Sequence, residues 1–207
     1  MKADFTLDNV SEGLEGGGKP HSTVRGSGTE LWSRFLTGDL SAMETIYMEH
    51  FSGMFAYALS LVGDTDMVKD AIQDIFMELW HKRANLGKVH AIRPYLYTIL
   101  RRKVLGQARE NGKLLSLIED GRQDTITSPS PEREYILSED SGKFSQELER
   151  AIRKLNKRQR ELIHLKYHTK LNNKQIAEIT ELPYSKVCYH IKTALQQLQV
   201  ALHRHRY

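Results

Sequence analysis

The 207-residue chain is 40% hydrophobic, 27% charged and 8% aromatic, enough for a packed core in one average domain or two small ones. Its longest apolar run, Met54 to Val62, falls far short of the roughly 20 residues that span a bilayer, the N-terminus lacks the apolar segment of a secretory signal, and the single cysteine, Cys188, forbids an intrachain disulfide. The net charge of +4 is segregated: residues 143–207 hold 14 basic and 5 acidic side chains, residues 111–142 hold 3 and 7, and residues 30–110 hold 10 of each. A reducing cytoplasm, a polyanion partner for the C-terminal third, and a solvated or nucleic-acid-mimicking acidic connector are therefore expected.

Residues 1–29, dense in Gly, Ser and Thr, read as a disordered tail. From residue 30 to 111 the apolar spacing is helical: Leu31, Phe35 and Leu36, then Met43, Ile46, Tyr47 and Phe51, then Phe55, Leu59 and Val62. Asp39 and Ser41 stand where N-caps belong, and Gly63-Asp64 punctuates the chain before the next helix. In residues 66–83, Val68, Ala71, Ile72, Ile75 and Leu79 form an apolar face flanked by Phe76 and Trp80, while Asp70, Gln73, Asp74 and Met77 line the opposite face. That second face is either solvated surface or a docking surface for a basic partner helix. Further on, Arg93, Tyr95, Tyr97, Arg101, Arg102 and Lys103 interleave aromatics with cations, a pattern that suits stacking of unpaired bases, although either tyrosine can instead complete the core.

The prolines of Ser128-Pro129-Ser130-Pro131 mark a linker over residues 112–143. Helical spacing resumes with Phe144, Leu148, Ala151, Ile152 and Leu155, so the second module covers residues 144–207 and the fold class is all-α, with no period-two alternation anywhere. Between Lys174 and Leu198 two helices meet at Glu181-Leu182-Pro183. The second carries a stripe of Val187, Ile191, Ala194, Leu195 and Leu198, which is helix-turn-helix spacing. Ser185, Lys186, Tyr189, Lys192, Thr193 and Gln196 project away from that stripe, toward a major groove if the module binds DNA. Arg158, Arg160 and Lys174 suit phosphates, which fix register without reading sequence. Glu181 sits where glycine would adopt positive φ without strain, at an expected cost of about 1 kcal/mol.

Together these patterns resemble the extracytoplasmic-function (ECF) subfamily of sigma-70 RNA polymerase sigma factors. Residues 70–80 (DAIQDIFMELW) and 93–105 (RPYLYTILRRKVL) look like sigma region 2, and residues 155–167 (LNKRQRELIHLKY) with 174–195 (KQIAEITELPYSKVCYHIKTAL) look like sigma region 4. The resemblance implies that Asp70, Gln73, Asp74 and Met77 bind core RNA polymerase, and that residues around His81 to Arg109 open and hold the minus-10 promoter element, with Tyr95 and Tyr97 near the melted strand. It implies that Ser185, Lys186, Tyr189, His190, Lys192 and Thr193 read the minus-35 element of promoter DNA, and that an anti-sigma factor or other regulatory protein restrains the chain. Four positions depart from the family pattern: Arg102 replaces an asparagine, Gly106 an aspartate, Asn156 a proline and Glu181 the turn glycine.

Two rivals are set against this reading. A helix-turn-helix regulator acting without core polymerase needs only the second module. An enzyme would need Cys188 with His190, or His164 and His168 as zinc ligands one helical turn apart, but neither pair has a third partner at motif spacing. No catalytic residue, metal or cofactor is expected.

Overall fold

The computed structural model describes residues 28–111 and 139–203, with side chains in the second segment from residue 146 onward. Most of the tail and most of the linker thus lie outside the described residues, as does the side chain of Phe144 in the apolar stripe. All regular structure among the described residues is helical: α1 (Gly28–Leu36), α2 (Leu40–Val62), α3 (Thr65–Lys82), a 3-10 turn (Arg83–Asn85), α4 (Ile92–Glu110), α5 (Glu139–Arg153), α6 (Lys157–Ile163), a π turn (His164–His168), α7 (Asn173–Thr180) and α8 (Tyr184–His203).

The helix boundaries have local causes. Asp39 caps α2, accepting from the Ser41 and Ala42 amides, and the Ser41 hydroxyl at 2.8 Å, with Arg34 at 2.6 Å next to it, holds its carboxyl down at about 2. Gly63 ends α2 in the left-handed region at φ 70, and Asp64 caps α3 through the Met67 amide. Two identical devices open α6 and α7: Asn156 with Gln159, and Asn172 with Gln175, each pair exchanging side-chain bonds with the other's backbone. Asn156, which departs from the family proline, thus starts its helix by capping.

The first module packs α2, α3 and α4 mutually, with α1 across α2 and α4. Trp32, Phe35, Met54, Tyr57, Ile72, Leu96 and Leu100 are buried, and Trp32 donates to the Gly87 carbonyl at 3.1 Å. Gly53 lets α2 approach α4 closely, since a Cβ there would lie 2.6 Å from the Tyr97 hydroxyl. In the second module α8 packs on α5, α6 and α7 through Val187, Ile191, Ala194 and Leu198. Leu195, expected on that stripe, is instead 39% exposed, because the helix turns it one step beyond the buried arc.

The two modules touch. α4 lies along α7, and α2 meets α6 and the π turn. The π turn is held by the Thr169 amide donating to the His164 carbonyl and by the Leu171 amide donating to the Leu165 carbonyl, with Lys170 between them at φ 56.

Candidate polymerase and nucleic-acid surfaces

α3 separates its two faces as its spacing predicts. Val68, Ala71, Ile72, Ile75, Phe76 and Leu79 are buried, whereas Asp70, Gln73, Asp74 and Met77 are exposed, Met77 by 51%. Asp64, Asp66 and Asp70 with Glu110 rim an open groove between the start of α3 and the end of α4. Leu40 and Met48 on α2, 62% and 70% exposed, add apolar surface that the sequence reading did not single out. Isolated exposed apolar residues carry no periodic signal, so nothing in the pattern marked them.

Four cations of α4 are engaged. Lys103 reaches Asp74 at 3.2 Å and Glu78 at 2.8 Å; burial opposes its charge, the two carboxylates more than offset this, and its pKa rises, while Glu78 moves the opposite way. Arg93 donates to the Thr169 carbonyl at 3.2 Å, Arg102 pairs with Glu181 at 2.9 Å, and Arg101 pairs with Glu161 at 2.8 Å. The last pair is enclosed, its side chains 12% and 6% exposed, and Glu161 also accepts from Tyr57 at 3.0 Å and Arg158 at 3.0 Å. Burial, with Glu161 beside it, pushes the Tyr57 hydroxyl well up, so it stays a donor. Tyr97 is only 3% exposed, stacks obliquely on Tyr57 with centroids 5.2 Å apart, and has its hydroxyl pushed by burial to about 12. Of the two tyrosines that sequence left between core and bases, Tyr97 belongs to the core here. Tyr95 is half-buried, edge-on to Trp32.

α7, the turn and α8 form the helix-turn-helix. Glu181 takes φ 57 and donates its amide to the Ala177 carbonyl, and the Leu182 amide donates to the same carbonyl at 3.2 Å. Pro183 then accepts from the Lys186 and Val187 amides, which starts α8. Ser185, Lys186, Tyr189 and Lys192 are exposed on the outer face, with Tyr189 63% exposed. His190 and Thr193 are half-buried; the His190 ring meets Tyr189 edge-on, and the Thr193 hydroxyl donates to the Tyr189 carbonyl at 3.0 Å. Cys188 lies inward of this face, accepting from Asn173 at 3.2 Å. Of the phosphate candidates, Lys174 is exposed, Arg158 leans on Glu161, and Arg160 is half-buried and donates to the Arg153 carbonyl at 2.9 Å. His164 and His168 stack with centroids 4.8 Å apart, yet no group of three or more potential metal ligands occurs among the described residues.

Comparisons with known proteins divide the chain along the same line. The family described as sigma-70 region 2 matches residues 46–114, and that described as sigma-70 region 4 matches residues 145–198. A curated protein of Haemophilus influenzae described as a "probable RNA polymerase sigma factor" is 24% identical over 162 residues, 72% of this chain and 84% of its own length. The ECF sigma factor SigL of Mycobacterium tuberculosis is 26% identical over 72 residues, which is 34% of this chain and 41% of SigL. Two solved structures share the fold at a TM-score of 0.57 each. CnrH in complex with the cytosolic domain of CnrY is 18% identical, covering 87% of this chain and 99% of CnrH. The sigma factor RpoE of Bartonella quintana, in complex with the anti-sigma factor NepR, is 22% identical, covering 79% of this chain and 98% of RpoE.

Proposed function

The chain belongs to the sigma-70 family of RNA polymerase sigma factors, in its ECF group, and from that premise we propose how its two modules divide the work of initiation. It binds core RNA polymerase and directs promoter-specific transcription initiation. The first module docks through Asp70, Gln73, Asp74 and Met77 of α3 and holds the opened minus-10 strand along α4, through Arg93, Tyr95, Arg101, Arg102 and Lys103, with Tyr97 backing them from the core. The second module sets α8 in the major groove of the minus-35 element, where Ser185, Lys186, Tyr189, His190, Lys192 and Thr193 meet base edges and Arg158, Arg160 and Lys174 meet phosphates. The chain performs no catalysis itself and works in the cytoplasm, where polymerase and promoter are. An anti-sigma protein restrains it, as NepR is bound to its structural neighbour.

One observation carries the reading: a single chain presents an exposed acidic face with a methionine on α3 and an exposed Ser185-Lys186-Tyr189-Lys192 face on α8, each backed by a buried apolar stripe. A regulator acting without polymerase has no use for the first. Mixed with core polymerase, the chain forms a complex and yields transcripts from a cognate promoter. Asp70→Lys with Asp74→Lys abolishes both while circular dichroism stays unchanged. A dimer that holds operator DNA and ignores core polymerase overturns the assignment.

A further inference from the structure

Three cations assigned to the minus-10 strand are held by the second module. Glu161 takes Arg101, Glu181 takes Arg102, and the Thr169 carbonyl takes Arg93. Oxygen acceptors thus stand at these guanidinium groups as phosphate oxygens would, and Arg with carboxylate or phosphate makes the same charge-assisted bond. The exposed pair has a second peculiarity. Glu181 and Arg102 are two of the four departures from the family pattern, and they lie 2.9 Å from each other. Glu181 is disfavoured where it stands, at φ 57, and its side chain reaches across the module boundary to Arg102.

This closed arrangement cannot serve a promoter. Elements centred at minus-35 and minus-10 are separated by roughly 25 base pairs, or about 85 Å of duplex. A compact body of this chain length has a radius of gyration of about 17 Å, so modules packed directly on each other cannot reach both elements. They must part first.

We infer that Glu161 and Glu181 form an intramolecular latch that occupies the α4 arginines in place of nucleic acid, and that a single strand entering this face competes with it. Glu161 is the enclosed half, bound by Tyr57 and Arg101 of the first module; Glu181 is the exposed half, which a strand meets first. The competition, unlike the latch itself, rests on the assignment of α4 to the minus-10 strand.

The test uses the full chain as Cys188→Ser, with a dye pair on cysteines placed at the exposed positions Lys69 and Gln196, read by single-molecule energy transfer. The parent chain populates the closed form. Glu181→Gly, which relieves the backbone strain and so keeps the fold, shifts the closed-to-open ratio toward open by about 2- to 5-fold, as an exposed pair allows. Glu161→Gln shifts it by about 100-fold or more, since it leaves Arg101 enclosed without its carboxylate. Arg102→Glu opens the chain, and adding Glu181→Arg closes it again. In Glu181→Gly and Glu161→Gln, which leave every α4 cation in place, affinity for an oligothymidylate of about 12 nucleotides rises with the open fraction. An open parent chain, or a ratio that none of these substitutions moves, overturns the latch. Opening without stronger oligonucleotide binding in those two variants upholds the latch and overturns the assignment of α4 to the strand.

Discussion

His50 is a histidine kept neutral. It is 8% exposed on α2, and burial, with the Arg93 charge adding to it, lowers its pKa to about 4. An unfolded chain takes up a proton near pH 6.5, whereas the folded one does so only near 4. Stability is therefore full above 6.5 and falls as pH drops toward 4, by about 2 kcal/mol from this residue. Urea unfolding between pH 7.5 and 4.5 should show that loss in the parent and a flatter profile in His50→Leu. A second single-residue effect is steric. Gly53→Ala drives a methyl to 2.6 Å from the buried Tyr97 hydroxyl, so the ring must shift, and a cost of about 1–3 kcal/mol in unfolding free energy is expected.

At the level of helices, stability rests on their ends as well as their faces. Asn156→Ala and Asn172→Ala should each lose about 1 kcal/mol by denaturant unfolding, while Asp at either site, which still accepts from the helix amides, keeps most of it. Glu181→Gly should gain up to about 1 kcal/mol at the end of α7. Much of this level was legible from sequence. The 3.6-residue spacing located the buried face of α3 residue by residue, Asp39 and Gly63-Asp64 marked real boundaries, and the strained Glu181 turn was expected from its place in the motif. Leu195 was misplaced because a helical repeat fixes a direction on the helix and not the width of the surface that covers it.

At the level of the whole molecule, sequence was silent about what joins the modules. Tyr57 and Glu161 are 104 positions apart, Arg102 and Glu181 are 79 apart, and no periodicity relates residues at such separations. The candidate DNA surfaces were each legible as local patterns, but the occupation of α4 by Glu161, Glu181 and Thr169 was not. The charge segregation bears on binding at this scale. If the second module neutralises about 6 phosphates, the logarithm of its DNA affinity should fall with the logarithm of salt concentration at a slope near −5, and a flat profile would show that its 14 basic side chains do not meet the backbone.

The π turn at His164–His168 has a consequence for insertions and deletions. A π turn is an α-helical stretch carrying one extra residue. Deleting one residue there, for instance Tyr167, removes the wide turn and shortens the path to α7 by one residue, so the Thr169 carbonyl that meets Arg93 and the start of α7 are both displaced. The helix-turn-helix would survive as a unit, but its contacts with α4 through Thr169 and Glu181 would have to re-form from a shifted α7. One extra residue in a turn packed against α2, with no change to either set of contact residues, thereby sets how the halves of this molecule meet.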